Sequence, residues 1–229
     1  MIDLHTHLLP LVDDGSTSLE DSLEILKVAV SQGVTSLVCT PHHTARFNKS
    51  PEEIKEAFIN FNEAVKKEGI PVNLFLGQEI FVTPDIKKII KEKKVLTLNG
   101  TKFALLEFDY FIPSDVGEIV FELIREGIVP VIAHVERYEY LTEGDICEIK
   151  NMGAYVTVNA DVFSKGIFSK QKRFVKKLIN NGLVDCVTSD IHVGREYLME
   201  KAATYIKKKY EEVVYQVLFE SAAKRILNG

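Results

Sequence analysis

An α/β barrel is the fold this sequence predicts, and three observations predict it. Strand-like and helix-like segments alternate along all 229 residues, the pattern of a parallel sheet whose crossovers are helices. The strand segments are short, mostly apolar and rich in β-branched or aromatic residues, as suits strands covered on both faces. Every histidine stands at or just past the C-terminal end of one of them, the rim on which barrel active sites are built. Such barrels often run past roughly 200 residues undivided, so residues 1–229 read as a single domain.

Seven strands are expected, at 2–5, 36–40, 72–79, 103–108, 129–134, 154–159 and 184–190. Between the first two, Leu19, Leu23, Leu26 and Val30 share one helical stripe, with Ser18 and Asp21 at capping-box spacing before it and Gly33 as a stop. The next helix opens at Ser50-Pro51, presents Ile54, Phe58, Phe61 and Val65 on one face, and stops at Gly69. Further helices are expected from Thr83-Pro84, Ser114, Thr142 and Ser169, and an amphipathic stretch at 213–227 closes the chain. The Lys-rich stretches at 87–94 and 207–209 read as solvated helix faces.

Composition narrows the function classes. With 46% hydrophobic and 27% charged residues the chain is globular, and no apolar run approaches the roughly 18 residues of a membrane span. Cys39, Cys147 and Cys186 are odd in number and far apart, so neither a disulfide framework nor a thiolate zinc site is indicated and a cytoplasmic setting fits. A net charge of −5 argues against extended nucleic acid as a partner.

The reactive side chains then fall in order along the rim. His5 and His7 are two residues apart on a strand and so share a face, as do Asp190 and His192. His42 and His43 follow the second strand, and His134 ends the fifth. Glu79 and Glu107 each close an apolar strand, where a buried carboxylate is costly without a cation. H-x-H by itself is a weak signal; the convergence of all seven strand ends on polar residues is the stronger one. Asp13 and Asp14 are either a turn ahead of the first helix or, for Asp14, a ligand. His43, adjacent to His42, projects differently and reads as structural, and Asn159 is open among metal, water and a backbone amide.

These residues sit in MIDLHTHLLPLVDDGS (1–16), CTPHHT (39–44), GQEI (77–80), LLEF (105–108), IAHVERY (132–138) and SDIHVGR (189–195). Together they resemble the polymerase and histidinol phosphatase (PHP) superfamily, and within it the manganese-dependent tyrosine phosphatases of bacterial capsule and exopolysaccharide synthesis. The resemblance implies a distorted (β/α)7 TIM-like barrel holding about three divalent ions, usually manganese, with zinc or iron in other members. It places His5, His7, Glu79 and Asp190 on one ion, Glu79 with Glu107 and His134 on a second, and Asp14, His42 and His192 on a third. It makes Arg137 and Arg195 the clamp on phosphate. The implied substrate is phosphotyrosine on a protein, in particular the tail of a bacterial tyrosine kinase; self-association is left open.

Under this reading a water bridging two ions is the nucleophile, Asp190 serves catalysis through the metal, and His192 would donate a proton to the leaving group only if free of metal. A cysteine mechanism would need C-x5-R, and Cys39 and Arg46 stand one residue too far apart. The runner-up is a small-molecule phosphomonoesterase such as histidinol phosphatase. Tyr110, Phe111, Tyr138, Tyr140 and Phe168 lie in segments able to reach the rim, where stacking on a phenyl ring competes with local packing.

Overall fold

A computed structural model describes residues 1–229. The strands are β1 (Ile2–Thr6), β2 (Ser36–Cys39), β3 (His42–His43), β4 (Asn73–Leu76), β5 (Glu79–Phe81), β6 (Phe103–Glu107), β7 (Val129–Ile132), β8 (Tyr155–Asn159) and β9 (Cys186–Thr188). The helices are α1 (Leu19–Ser31), α2 (Pro51–Lys67), α3 (Ile86–Lys91), α4 (Val116–Arg125), α5 (Glu143–Asn151), α6 (Lys170–Asn180), α7 (Met199–Lys209), α8 (Glu212–Gln216) and α9 (Ala222–Asn228). A π-type turn, Val217–Ser221, joins the last two.

All strand pairs are parallel, in a three-stranded sheet of order β1-β2-β4 and a six-stranded sheet of order β3-β5-β6-β7-β8-β9. The result is an α/β fold around a curled parallel sheet. First and last strands meet: Asp190 donates its N–H to the His5 carbonyl at 2.9 Å, and His7 donates to Ile191 at 3.1 Å.

The third of the seven expected strands is broken in two, and the second is followed by a short separate strand beyond its expected end. After the second, Pro41 lacks an N–H to continue the ladder, and pairing resumes at His42, opposite Glu79. In the third, Gln78 exchanges backbone bonds with a different partner, giving its N–H to Leu96 O at 3.1 Å while its side-chain oxygen accepts from Leu96 N at 2.9 Å. Gly77 permits the swerve, because a Cβ there would lie 2.8 Å from Leu98 Cδ2.

The caps follow the local chemistry. Ser18, Ser50, Thr142 and Ser169 each cap a helix N-terminus through the side-chain oxygen, with Glu53 and Asp145 completing capping boxes at Ser50 and Thr142. Two starts are displaced from expectation. The helix expected at Thr83 begins at Ile86, and Asp115 rather than Ser114 caps α4 by accepting from Glu118 N. Helix α7, stabilised by burial of Met199, Ala202, Ala203 and Ile206, was not foreseen as an element of its own.

Two apolar clusters hold these layers. The larger lies between sheet and helices, with Leu26, Ile54, Phe61, Val120, Leu178 and Phe219 among its members. The smaller fills the inside of the curl: Ile2, Leu4, Val38, Phe103, Leu105, Val131 and Cys186, with Ala223, Ile226 and Leu227 of α9 packed among them. Each fully buried aliphatic side chain here contributes roughly 1.5–3 kcal/mol. Along β6 the inward positions Phe103 and Leu105 lead by simple alternation to Glu107.

Alternation fails on β1, and the failure matters. Ile2 and Leu4 face the inner cluster, which would bring Thr6 to the same side and turn His5 away. Pairing with β2 slips between Asp3 and Thr6, so that one extra residue is accommodated on β1. After the slip His5 and His7 face inward, while Thr6 turns to donate its hydroxyl to Val38 O at 2.8 Å. Gly15 packs directly on this segment: a Cβ would stand 2.1 Å from His7 Cβ and 2.2 Å from His7 O. Gly15→Ala is therefore expected to destabilise the protein by roughly 1–3 kcal/mol, lowering Tm by about 3–10 °C. Calorimetry giving an unchanged Tm would refute this close approach.

Candidate metal centre

The slip on β1, two left-handed backbones and the strand ends together assemble the site. His134 (φ 32°) and Asp190 (φ 50°) leave their strands in a conformation that costs a non-glycine residue energy, and both side chains turn into the cluster. His5 Nε2 lies 3.0 Å from His7 Nε2, 3.3 Å from Glu79 Oε1 and 3.6 Å from Asp190 Oδ1. His7 Nε2 lies 3.4 Å from both Glu79 Oε2 and Asp190 Oδ1. His134 Nε2 approaches Glu79 Oε1 at 2.9 Å and Glu107 Oε1 at 3.8 Å. His42 Nδ1 stands 2.8 Å from Glu79 Oε2 and 3.8 Å from Glu107 Oε2. The His7 and His192 rings stack with centroids 4.2 Å apart.

All nine expected ligands are thus within one neighbourhood, and the three expected sets each keep their members in mutual reach. Four compact groups could each hold a cation: His5, His7 and Asp190; His5, Glu79 and His134; His42, Glu79 and Glu107; His7, His42 and His192. Asp14 stands at the edge, 3.6 Å from His42 Nε2 and 3.8 Å from His192 Nε2, with half of its side chain in solvent.

The donor chemistry fits divalent cations. Two imidazole nitrogens 3.0 Å apart can share one proton or one metal, but cannot both be protonated without repulsion. His5 Nδ1, His134 Nδ1 and Glu79 Oε2 are buried without a hydrogen-bond partner. His42 Nδ1 is also unpartnered despite its 2.8 Å approach to Glu79, because the pair lacks hydrogen-bond geometry. Burial would push Glu79 and Asp190 toward the neutral acid, yet His5 and its neighbouring imidazoles hold both well below the usual carboxylate range. Burial and the Glu79 charge instead raise Glu107. A cluster that keeps carboxylates ionised in the interior by gathering positive charge is suited to metal.

Around the cluster stand residues that orient it. Asp13 accepts from His7 Nδ1 at 2.7 Å and from the backbone of His42 and Gly15, both at 2.9 Å. Burial opposes its charge, but the His7 contacts bring its pKa down to about 2. Because a carboxylate only accepts, Nδ1 of His7 carries the hydrogen and Nε2 is left to face the cluster. His192 Nδ1 donates in the same way to the Asp190 carbonyl at 3.0 Å, and burial lowers its pKa to about 4. Asn159, left open by the sequence, donates from Nδ2 to Asp190 Oδ2 at 3.2 Å. His43 does not line the cleft, and burial alone lowers its pKa.

The cleft above the cluster has a volume of about 640 Å³. Arg137 and Arg195 line it, with Arg137 Nη2 2.7 Å and Arg195 Nη1 3.6 Å from Asp190 Oδ2. Tyr110 donates its hydroxyl to Glu107 and accepts from Arg137 Nη1 at 3.4 Å, joining a carboxylate of the cluster to an arginine of the wall. Its ring stacks on Tyr138, which packs in turn on Tyr140. Tyr138 and Tyr140 therefore pack locally, while Phe111 and Phe168 project into solvent without lining the cleft. The cleft's other aromatic rings, Phe47 and Phe81, were missed by sequence reasoning. No cysteine lines it; Cys39 and Cys186 are buried, which raises both thiol pKa values.

Residues 1–228 match the profile of the family described as Capsular polysaccharide synthesis, CpsB/CapC. The chain belongs to the CpsB/CapC family. Among its relatives, tyrosine-protein phosphatase YwqE of Bacillus subtilis (strain 168) is 32% identical, over 100% of this chain and 92% of its own length. Tyrosine-protein phosphatase CpsB of Streptococcus pneumoniae is 33% identical, over 99% of this chain and 98% of its own. The crystal structures of YwqE and CpsB, described as unique metal-dependent tyrosine phosphatases, include a chain that superposes with a TM-score of 0.90 at 30% identity, covering 100% of this chain and 94% of that one. Histidinol phosphate phosphatase from Lactococcus lactis, solved with zinc, L-histidinol and phosphate, matches at 14% identity and a TM-score of 0.58, covering 92% of this chain and 94% of that one, a likeness of fold alone.

If the CpsB/CapC cluster binds metal, manganese at a hundredfold excess over Kd adds about 2.7 kcal/mol of stability per site and raises Tm, and EDTA reverses the gain. Glu79→Gln should reduce the gain. Asp13→Asn should weaken affinity by roughly 10–100-fold, read by titration. A Tm indifferent to manganese, zinc and iron alike would show that the cluster is not a metal site.

Proposed function

We propose that the chain is a metal-dependent tyrosine-protein phosphatase, acting on a phosphotyrosine-containing protein such as the tail of a bacterial tyrosine kinase that governs capsule or exopolysaccharide synthesis. The single observation that carries this reading is the gathering of five histidines and four carboxylates beneath a cleft walled by arginines, in a chain of the CpsB/CapC family. Residues 1–229 would work as one unit in the cytosol, its interrupted strands counting as seven staves of a distorted (β/α)7 barrel. No helix is long and apolar enough to cross a membrane.

About three divalent ions, manganese first and zinc or iron otherwise, would be held by His5, His7, Asp14, His42, Glu79, Glu107, His134, Asp190 and His192. When bound they supply Lewis-acid polarisation of phosphoryl oxygens and a water acidic enough to ionise near neutral pH. The chain's own groups do the rest. Arg137 and Arg195 offer guanidinium donors to the phosphoryl oxygens, and Arg137 is already fixed by Asp190 and Tyr110, so little reorganisation is needed as charge develops. Phe47, Phe81 and Tyr110 give the cleft apolar surface for a phenyl ring. A phenolate leaves with little help, which removes the demand for a strong proton donor.

With manganese present, a phosphotyrosyl peptide should be hydrolysed faster than histidinol phosphate or a short 5'-phosphorylated oligonucleotide at matched concentration. Faster turnover of either competitor would overturn the substrate assignment. Chelation should abolish activity and thiol alkylation should spare it; the reverse pattern would establish a cysteine mechanism. Arg137→Ala should lower kcat by roughly 10²–10³-fold, the usual effect of losing one donor to developing charge.

A further inference from the structure

The cleft carries a third guanidinium that the cluster does not employ. Arg46 lies in the loop after β3, exposed to solvent, and lines the same cleft as Arg137 and Arg195. Those two reach Asp190, whereas Arg46 forms no ion pair.

Its position is nonetheless defined. Thr44 donates its N–H to Phe47 O at 2.8 Å, and its hydroxyl oxygen accepts from the backbone of Arg46 at 3.2 Å and of Phe47 at 3.1 Å, closing the loop on itself. The Phe47 ring lies nearly parallel to the His42 imidazole, with centroids 6.0 Å apart and planes 15° apart. The Arg46 guanidinium sits over the Phe47 ring, 4.9 Å from its centroid. A cation resting on an aromatic face keeps its planar fork free to take a carboxylate. The chain as a whole carries a net charge of −5 and repels acidic polypeptides, so a local cation at the cleft decides how such a segment is received.

We propose that Arg46 is a specificity residue that reads an acidic side chain next to the phosphorylated residue of a substrate polypeptide. The inference rests on the phosphatase reading above and names the class of sequence it prefers. An extended peptide advances roughly 3.3–3.6 Å per residue, so a residue one or two places from a phosphotyrosine bound in the cleft would come within reach of the wall that His42, Phe47 and Arg46 line.

Three phosphotyrosyl peptides test it, identical except that the two residues on each side are Glu, Ala or Lys, assayed with manganese. The wild-type protein should show kcat/KM for the Glu peptide roughly two- to five-fold above that for the Ala peptide, the size of one solvent-exposed charge pair. That ratio should collapse toward one at about 0.5 M salt and in Arg46→Ala at low salt, and Arg46→Glu should prefer the Lys peptide. Because each ratio is taken within one protein, a general loss of folding or turnover does not imitate the result. Equal rates on all three peptides, or a preference for Glu that persists in Arg46→Ala, overturns the role of Arg46 and leaves the phosphatase reading standing. A protein inert toward all three and toward a simple aryl phosphate overturns both.

Discussion

The arrangement depends on the burial of Glu79 among imidazoles. A carboxylate without solvent is costly unless positive charge surrounds it, and His5, His42 and His134 each place a nitrogen within 3.3 Å of it. Those histidines come from three different strand ends, so the charge of one side chain ties β1, β3 and the end of β7 to β5. Asp190 does the same for the end of β9, held by His5 and His7 on one side and Arg137 on the other. The cleft is thus the place where the sheet is electrostatically knotted, which is why the most polar residues of the chain occupy its interior.

Much of this was legible in the sequence because of the period of a strand. Apolar runs ending in Glu79, Glu107, His134 and Asp190 reveal which side chains stand on the rim, and the Ser and Thr caps reveal where four crossover helices begin. Two-residue spacing correctly put His5 and His7 on one face. It could not reveal that the face is reached only after a slip in register, because Ile2, Leu4, His5 and His7 do not share a single alternation.

What escaped sequence reasoning are contacts made through space by loops. Asp13 looks like an ordinary turn residue until His7 and the His42 backbone are found against it. Tyr110 reads as an aromatic in a loop, and nothing in its neighbours along the chain announces that its hydroxyl joins Glu107 to Arg137. Likewise the break at Gln78 arises from a partner brought by the fold, Leu96, whereas the one at Pro41 follows from proline's missing N–H. Partition of the ligands into groups is also a property of three dimensions: His7 is shared between His5 and Asp190 on one side and His42 and His192 on the other.

The meeting of the first and last strands has a consequence for how the protein is made. His5 and His7 leave the ribosome well before their backbone partners Asp190 and Ile191, which lie 185 and 184 residues further along the chain. Contacts so distant along the chain form slowly and only after the intervening loop has been closed. The imidazole and carboxylate cluster is therefore completed only after β9 has been made and has closed against β1.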